Sequence, residues 1–329
     1  MREITIGTNQ CGQRLDKFLA KYLKEAPKSF LYKMLRKKNI KLNGARAEGN
    51  ERLREGDIVT LYLSDETIAK FCGRPLTVSG HVADNPLEII YENEHIALIN
   101  KPAGLLSQKA RPEDDSLTEQ FVRYVGETEE GFVPGICNRL DRNTSGIVIA
   151  GKTLAGLQKM SELLRERQLA KYYLAVVKGT MAKGGVIRGY LRKDKRTNRV
   201  ELFSTEVPGS AYIQTGYEPL CSDGSFTLLR VRLFTGKTHQ IRGHLGSIGH
   251  PIAGDWKYGG RIEGSRIKRQ LLHAYEIEFP HMDGPFGDLD GKRFRAGIPE
   301  DFCREGFVMK LIERMKRNET DSDVICNRI

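Results

Sequence analysis

The polar segment around Asp141 is the first place in the chain where residue types and spacing could do chemistry. Residues 138–151 read Asn-Arg-Leu-Asp-Arg-Asn-Thr-Ser-Gly-Ile-Val-Ile-Ala-Gly, so a carboxylate flanked by Arg139 and Arg142 comes just before an apolar strand. Loops held against a rigid strand often carry catalytic groups, and neighbouring arginines favour the ionised carboxylate. An aspartate that only accepts hydrogen bonds in a turn would fit the same spacing. Both interpretations stay open on these residues alone.

A second segment, residues 233–255, places an arginine on a helix after a short loop. Gly236 ends a strand, and Thr238 is predicted to cap the helix that follows. The buried stripe of this helix, at positions i, i+4 and i+7, consists of Ile241, Leu245 and Ile248. Arg242 lies one helical step, about 100°, from that stripe, at its half-buried boundary. This placement suits a guanidinium that is fixed in position and paired with an acid.

Histidines in the same segment raise the question of a metal site. The three are His239, His244 and His250. Their spacings of five and six residues place no two on one helical face, and no cysteine or acid completes a ligand set. The six cysteines of the chain lie far apart without a C-x-x-C pair, which disfavours both a zinc site and a secreted disulfide framework. We therefore predict no metal.

A tyrosine near the start of a predicted strand is the third candidate. The segment Lys171–Gly179 reads Lys-Tyr-Tyr-Leu-Ala-Val-Val-Lys-Gly. Alternation places Tyr173 on one face of this strand together with Ala175 and Val177. A plain core or cross-strand tyrosine fits this position as well as a site residue does.

The elements around these clusters predict an α+β fold with a mixed, largely antiparallel sheet. Apolar patterns predict strands over residues 87–92, 96–100, 173–177, 211–217 and 226–233. Helices are predicted over residues 116–125 and 154–164, and one more amphipathic helix lies near the C-terminus. Many strands with few intervening helices favour α+β over a parallel α/β arrangement.

Positive charge is concentrated near the N-terminus. The whole chain has 53 Lys and Arg against 42 Asp and Glu, a net charge of +11, and eleven Lys or Arg against two acids fall between Arg14 and Arg46. Two short amphipathic helices carry most of these cations on their outer faces, namely Lys17, Lys21, Lys24, Lys28, Lys33, Arg36, Lys37 and Lys38. Self-repulsion destabilises such faces unless a polyanion compensates it. Nucleic acid is the expected partner, and two solvated faces are the alternative.

The remaining composition bounds the class of protein. Apolar residues make up 39% of the 329 residues, which is enough for a globular core. The apolar runs are strand-sized, far below the roughly 18 residues of a membrane helix, and the N-terminus reads MREITIG, without a signal-peptide core. We expect a reduced, cytoplasmic protein, a monomer without membrane contact.

Taken together, the three clusters resemble the RluA-like pseudouridine synthases. The family motif His-Arg-Leu-Asp-x-x-Thr-Ser-Gly appears at residues 138–146, its Lys-x-Tyr strand at 171–173, and its Thr-Gly-Arg-Thr-His-Gln-Ile-Arg-x-His at 235–244. Gly-His-Pro-Ile-x-Gly-Asp follows at 249–255, and Leu-His-Ala at 272–274. Asn138 and Lys237 depart from the frequent His and Arg of these motifs, which bears on substrate details.

The resemblance implies an isomerase that forms pseudouridine in RNA. Asp141 would be the catalytic aspartate, Tyr173 the tyrosine against the target base, and Arg242 the arginine paired with the aspartate. The bond from ribose to base nitrogen breaks, the uracil turns, and the sugar rejoins through carbon five; no atoms enter or leave, so no cofactor is expected. A uridine inside a stem must be flipped to reach the aspartate, and Arg139 is the candidate for filling the vacated space or holding the displaced phosphate.

The N-terminal stretch resembles the RNA-binding module named after a small-subunit ribosomal protein, the S-four domain. Residues 12–63 carry Arg-Leu-Asp, a basic helix, Ile-Lys-Leu-Asn-Gly and Gly-Asp-x-Val in the expected order. The cations expected to contact structured RNA are Lys17, Lys21, Lys33, Arg36, Lys37, Lys38 and Lys41. Large-subunit ribosomal RNA is the expected target, since family members with this module mostly act there, and transfer RNA is the alternative.

These patterns divide the chain into five parts. We predict the RNA-binding module over residues 12–63, a linker over 64–86, the catalytic domain over 87–300, a C-terminal helix over 301–317 and a mobile tail over 318–329. Two other functions compete with the isomerase. A non-catalytic RNA-binding or assembly factor would need only the basic module. A glycosidase-like hydrolase would need a second placed carboxylate, for which Asp255 is the one motif acid.

Overall fold

Two separate β-sheets organise the computed structural model, which describes residues 1–7, 10–72, 87–111, 113–126, 132–194, 197 and 199–326. The strands of the smaller sheet are β1 (Arg2–Thr5), β2 (Ile40–Leu42), β3 (Ala45–Arg46) and β4 (Ile58–Leu61). Their order is β1–β4–β2–β3, and every pairing is antiparallel. Asn43 and Gly44 form the hairpin turn that joins β2 to β3.

Three helices cover the smaller sheet: α1 (Leu15–Tyr22), α2 (Lys28–Arg36) and α3 (Asp65–Cys72). The first two bury their apolar stripes in a core of their own, separate from the core of the larger sheet. Pro27 directly precedes the first residue of α2. The third helix lies where a linker is predicted, because Ile68 and Phe71 pack on this core. Residues 73–86 of the predicted linker lie outside the described residues.

The larger sheet carries the three candidate clusters. Its strands are β5 (Ile89–Glu92), β6 (Ile96–Lys101), β7 (Gly135–Ile136), β8 (Ser145–Gly151), β9 (Ala170–Lys178), β10 (Gly185–Asp194), β11 (Arg199–Phe203), β12 (Ala211–Ser222), β13 (Phe226–Leu233), β14 (Leu272–Glu278) and β15 (Arg293–Arg295). The order is β11–β10–β12–β13–β9–β14–β8–β6–β5, with β7 beside β8 and β15 beside β14. Among the described strands, β8 and β14 pair in parallel and all others antiparallel. The predicted fold class is confirmed.

Helices cover both faces of this sheet: α4 (Leu117–Val125), α5 (Leu154–Arg165), α6 (Gln240–Ser247) and α7 (Gly306–Cys326). Phe121, Leu245 and Leu311 bring α4, α6 and α7 into one core, whereas α5 buries Met160 in a second core. The last helix begins later than predicted and runs on through most of the predicted tail to Cys326; residues 327–329 lie outside the described part. Across the described helices, none combines the length and apolar character that a membrane span requires.

Candidate active site

Asp141 lies on a loop that the fold pins on both sides. Next to it, the Leu140 amide donates to Ser107 Oγ at 3.0 Å, and that hydroxyl donates back to the Leu140 carbonyl at 2.8 Å. On the other side, the Arg142 carbonyl accepts a hydrogen bond from the fully buried Lys101 ammonium at 3.1 Å. The Thr144 amide closes the turn onto the Asp141 carbonyl at 3.0 Å. The carboxylate therefore projects from a fixed backbone.

Lys101 is a buried cation that the sequence interpretation did not single out. Its ammonium also donates to the carbonyls of Pro102 at 2.7 Å and Leu105 at 2.8 Å. Burial lowers its pKa to about 7, an effect that Arg269 strengthens and the charge of Asp141 opposes. A lysine at the end of an apolar strand, directly before a proline, is the signal that was available. Its three hydrogen bonds tie β6 to the Asp141 loop.

Arg242 joins two carboxylates that are far apart in the sequence. Its Nη1 donates to Asp141 Oδ2 at 2.9 Å, while Nε and Nη2 donate to Asp255 Oδ2 and Oδ1 at 2.6 and 2.9 Å. Burial opposes the charge of Arg242, but the bonds and charges of Asp255 and Asp141 outweigh it, so its pKa is raised. The bidentate pair fixes the plane of the guanidinium and thereby the place of its third donor.

The source of the positive charge at Asp141 differs from the sequence prediction. Arg139 reaches Gln108 at 3.5 Å, and Arg142 Nε donates to the Gly104 carbonyl at 2.9 Å. The predicted ion pair with Arg242 is present instead, although Arg242 is buried rather than half-buried. Asp255 is the functional neighbour that the sequence interpretation missed, since it weighed this acid only as a possible second catalytic group. The signal available in the sequence was Arg242 itself, an arginine next to the buried stripe of its helix for which only one acid partner was predicted.

Tyr173 lies on β9, in the middle of the sheet. It pairs with Val231 of β13 on one side and with Ala274 of β14 on the other. Its side chain lines a cleft of about 470 Å³ together with Asp141 and Arg242. Burial, and then the negative charge of Asp141, raises the pKa of the tyrosine above its usual value. The structure thus brings all three predicted catalytic residues into one cleft.

His239 faces Asp141 at the start of α6. Its backbone has a positive φ of 55°, so α6 begins after it, at Gln240, and the predicted cap at Thr238 is wrong. The Tyr258 hydroxyl accepts the Val200 amide at 3.0 Å and lies 3.0 Å from His239 Nδ1. The other ring nitrogen, Nε2, lies 3.7 Å from Asp141 Oδ2. Burial lowers the pKa of His239 to about 4, so the ring is neutral.

The three histidines considered as metal ligands contact three different parts of the fold. His244 Nδ1 lies 2.9 Å from Thr215 Oγ1 on β12, and His250 Nδ1 lies 2.9 Å from the Lys178 carbonyl on β9. His239 Nδ1 lies within hydrogen-bonding distance of the Tyr258 hydroxyl. Each ring has a structural partner of its own.

A basic groove of about 640 Å³ adjoins the cleft and shares Asp141, Arg139 and His239 with it. Besides Arg242, its cationic lining consists of Lys109, Arg139, Arg142, Lys193, Lys257, Lys268 and Arg269, against the two acids Asp141 and Asp255. A groove with such an excess of positive charge attracts and orients a polyanion. The groove and cleft together offer a path for a phosphate backbone and a pocket for one base.

The cations of the N-terminal module divide into two groups. Those that are exposed on α1, α2 and the turn after α2 are Lys17, Lys33, Arg36, Lys37 and Lys38. Lys21 is half-buried, donates to Gln13 Oε1 at 3.1 Å, and has its pKa lowered by burial. The Lys41 ammonium lies 5.1 Å from the centre of the Tyr62 ring. The exposed group is the more accessible of the two to a phosphate backbone.

Comparisons with known proteins agree with this geometry. The model of the RNA pseudouridylate synthase family matches residues 95–247, and that of the S4 domain matches residues 13–59. Ribosomal large subunit pseudouridine synthase D of Xylella fastidiosa is 31% identical, over 92% of this chain and 91% of its own length. Ribosomal large subunit pseudouridine synthase C of Vibrio cholerae is 32% identical, over 84% and 88%. The solved human RNA pseudouridylate synthase domain containing 4 has the same fold, with a TM-score of 0.53 at 21% identity, covering 70% of this chain and 93% of that one.

A largely antiparallel sheet with a carboxylate beside a basic groove defines an RNA-modifying enzyme of the pseudouridine synthase type. The chain belongs to the RNA pseudouridylate synthase family and carries an S4 RNA-binding domain on its N-terminal side. It is an RNA pseudouridine synthase, as the sequence motifs predict, and RNA is its binding partner.

Proposed function

We propose that this enzyme isomerises specific uridines in large-subunit ribosomal RNA, with Asp141 as the catalytic carboxylate. The observation that carries the proposal is the contrast between the two acids bound to Arg242. The side chain of Asp255 is 1% exposed and both of its oxygens bind the guanidinium, whereas that of Asp141 is 23% exposed and opens into the cleft. Among the described residues, Arg242 is the one hydrogen-bond donor to the Asp141 carboxylate, which leaves Oδ1 available to a substrate.

The same contrast weighs against the hydrolase alternative. A glycosidase needs two carboxyl groups that both reach the sugar. Asp255 is committed to Arg242 and shielded from the cleft, so the described part of the chain places no second acid beside Asp141 for that chemistry. An RNA-binding factor without activity would not require a carboxylate held by a buried arginine at the end of a basic groove.

Each residue of the cleft then has a distinct task. Asp141 acts as nucleophile at the sugar or the base, or removes a proton from the sugar as the glycosidic bond breaks. Arg242 donates to the Asp141 carboxylate and fixes its direction. Tyr173 offers a flat ring to the detached uracil, and burial keeps its hydroxyl protonated as a donor. No cofactor is required, because the product contains the same atoms as the substrate.

The shape of the site supports base flipping. A cleft of about 470 Å³ holds a single nucleotide, so a paired uridine must leave its stack to reach Asp141. Arg139 is exposed and two residues from the carboxylate, where it can fill the vacated space or hold the displaced phosphate. The basic groove would hold the flanking backbone.

The ribosomal target is inferred from the relatives and from the N-terminal module. Both curated relatives described above are named as ribosomal large subunit pseudouridine synthases. The exposed cations of α1 and α2 would add phosphate contacts on a long structured RNA. Chemical mapping of pseudouridine in a strain without this gene, beside its parent, identifies the target. Loss of sites in transfer RNA alone would overturn the ribosomal assignment.

The catalytic assignment is tested by Asp141→Asn. This change keeps the size and shape of the side chain and removes its charge and nucleophile, so we expect activity to fall by about 10⁴-fold or more. Tritium release from RNA labelled at carbon five of uridine measures it. Asp283→Asn, at an exposed position away from the cleft, is the matched control. An Asp141→Asn enzyme that keeps a tenth of the activity would refute the role.

A further inference from the structure

Trp256 is a large apolar side chain in an unusual place. It is the one tryptophan of the chain, and 62% of its surface is exposed. It follows Asp255, the acid that fixes Arg242, and it lines the basic groove that leads to Asp141. Because so much of the indole stays in contact with water, its burial contributes little to the stability of the fold. An exposed aromatic side chain beside a groove is typical of a ligand contact.

The loop that carries Trp256 is tightly closed. The Gly254 amide donates to the Gly260 carbonyl at 2.8 Å, and the Gly260 amide donates to the Asp255 carbonyl at 2.7 Å. A Cβ added at Gly254 would lie 2.1 Å from the Arg269 carbonyl oxygen, and one at Gly260 would lie 1.7 Å from that of Ile252. The loop therefore packs directly on neighbouring backbone. The backbone of Trp256 is thus held in place, at a fixed distance from the Asp141 carboxylate.

The charges around the indole favour RNA as its partner. The Arg261 guanidinium lies 4.7 Å from the centre of the indole ring, and Lys257 follows directly in the groove wall. An aromatic ring beside an arginine and a lysine matches the platforms on which proteins stack unpaired bases while binding the adjoining phosphates. A protein partner would have to be acidic and would compete with RNA for the groove.

We propose that Trp256 stacks on an unpaired nucleobase of the substrate RNA, next to the uridine that enters the cleft. The inference rests on the proposed function, since it takes the groove as the path of the strand that flanks the flipped nucleotide. The stack on Trp256 holds the neighbouring base in place after the target uridine has flipped away from that base. Trp256 is thus a substrate-positioning residue outside the reaction centre.

A fluorescence titration tests this contact directly, because all tryptophan emission of the chain comes from Trp256. The probe is a single-stranded oligouridylate of about ten nucleotides, and the control ligand is inorganic polyphosphate, which has the charge but no bases. We expect oligouridylate to quench the emission along the same saturation curve as the anisotropy of a labelled oligonucleotide. Polyphosphate should bind the groove with little quenching.

Affinity measurements separate stacking from charge. Loss of one base stack in Trp256→Leu should weaken oligouridylate binding about 5- to 150-fold, and Trp256→Phe should recover most of it. The salt dependence of Trp256→Leu should match the wild type, because a stack releases no counterions, whereas Lys257→Gln should reduce the slope by about 0.7. Tyr124→Leu, at another exposed aromatic outside the groove, is the matched control.

Three outcomes would overturn the inference: equal quenching by polyphosphate, unchanged emission at saturating oligouridylate, or equal affinity losses in Trp256→Leu and Tyr124→Leu. The quenching experiment uses the wild-type protein, so it decides the matter even where a variant folds poorly. Neither readout depends on turnover. An active Asp141→Asn enzyme would refute the proposed catalytic role and leave the stacking result standing, and the reverse also holds.

Discussion

Replacing Asp255 by asparagine should destabilise the protein strongly, even though Asp255 does not line the cleft. The change keeps the side-chain shape but removes the buried charge that faces Arg242 at 2.6 and 2.9 Å. Opposite charges about 4 Å apart at an effective dielectric constant near 20 attract by about 4 kcal/mol. Removing one partner of a buried pair typically costs about 3–5 kcal/mol. We expect a loss of that size in the free energy of unfolding.

The chain offers a control with almost the same geometry. Arg269 donates to Asp301 through Nε and Nη2 at 2.6 and 2.8 Å, but the Asp301 side chain is 39% exposed. Asp301→Asn should therefore cost about 0–1 kcal/mol. Urea unfolding at neutral pH measures both variants, and single-turnover tritium release should show a defect for Asp255→Asn because Arg242 is no longer held in place. Equal losses of stability in the two variants would refute the argument from burial.

Further predictions concern proton placement, pH and charge. Tyr258→Phe removes the hydroxyl that holds the His239 ring beside Asp141, so single-turnover rates should fall about threefold to tenfold while RNA affinity stays unchanged; an unaltered rate would contradict this role. Burial lowers the pKa of three histidines to about 4, namely His239, His244 and His273. Between pH 4 and 6.5 the unfolded chain therefore binds more protons than the folded protein does. Urea unfolding should show the free energy of unfolding decreasing as the pH is lowered, by about 2 kcal/mol per histidine from pH 7 to pH 5. Exposed His281→Gln should leave this dependence unchanged, and a flat wild-type profile would exclude the mechanism. Lys33→Gln combined with Lys37→Gln should reduce the salt slope of RNA binding by about 1.4–1.8; an identical slope would mean that these side chains face solvent in the complex.

Local patterns were sufficient to predict the fold class, and the order of the motifs, through the family resemblance, singled out the three residues of the cleft. Tyr173 lies on a strand and Arg242 on a helix, as the patterns predict, and the polar loop before β8 supplies Asp141. These features depend on periodicity over a few residues and on motif order. Both are visible in the chain without knowledge of long-range contacts.

Contacts between distant segments could not be predicted in the same way. Arg139 and Arg142 adjoin Asp141 in sequence, yet backbone hydrogen bonds turn Arg142 towards Gly104. Asp255 reaches Arg242 because the chain turns back after α6. No local sequence pattern shows which acid pairs with a buried arginine. The start of α6 is set by the left-handed backbone of His239, a preference for which the sequence carries a weak signal. Tertiary packing decides such positions.

The large sheet is paired without interruption from β11 to β5 within the described residues, and Tyr173 lies near its middle. Among the described strands, no break in the pairing divides the cleft into two halves that could close over an RNA. On the proposed function the RNA is then the partner that deforms, and we expect the enzyme to select uridines by how readily their surroundings unfold. We expect a stable helix to be a poor substrate even where its sequence matches, and an RNA that has not finished folding to be a good one. The moment at which the enzyme meets a maturing transcript would then set the pattern of modification as much as the sequence does.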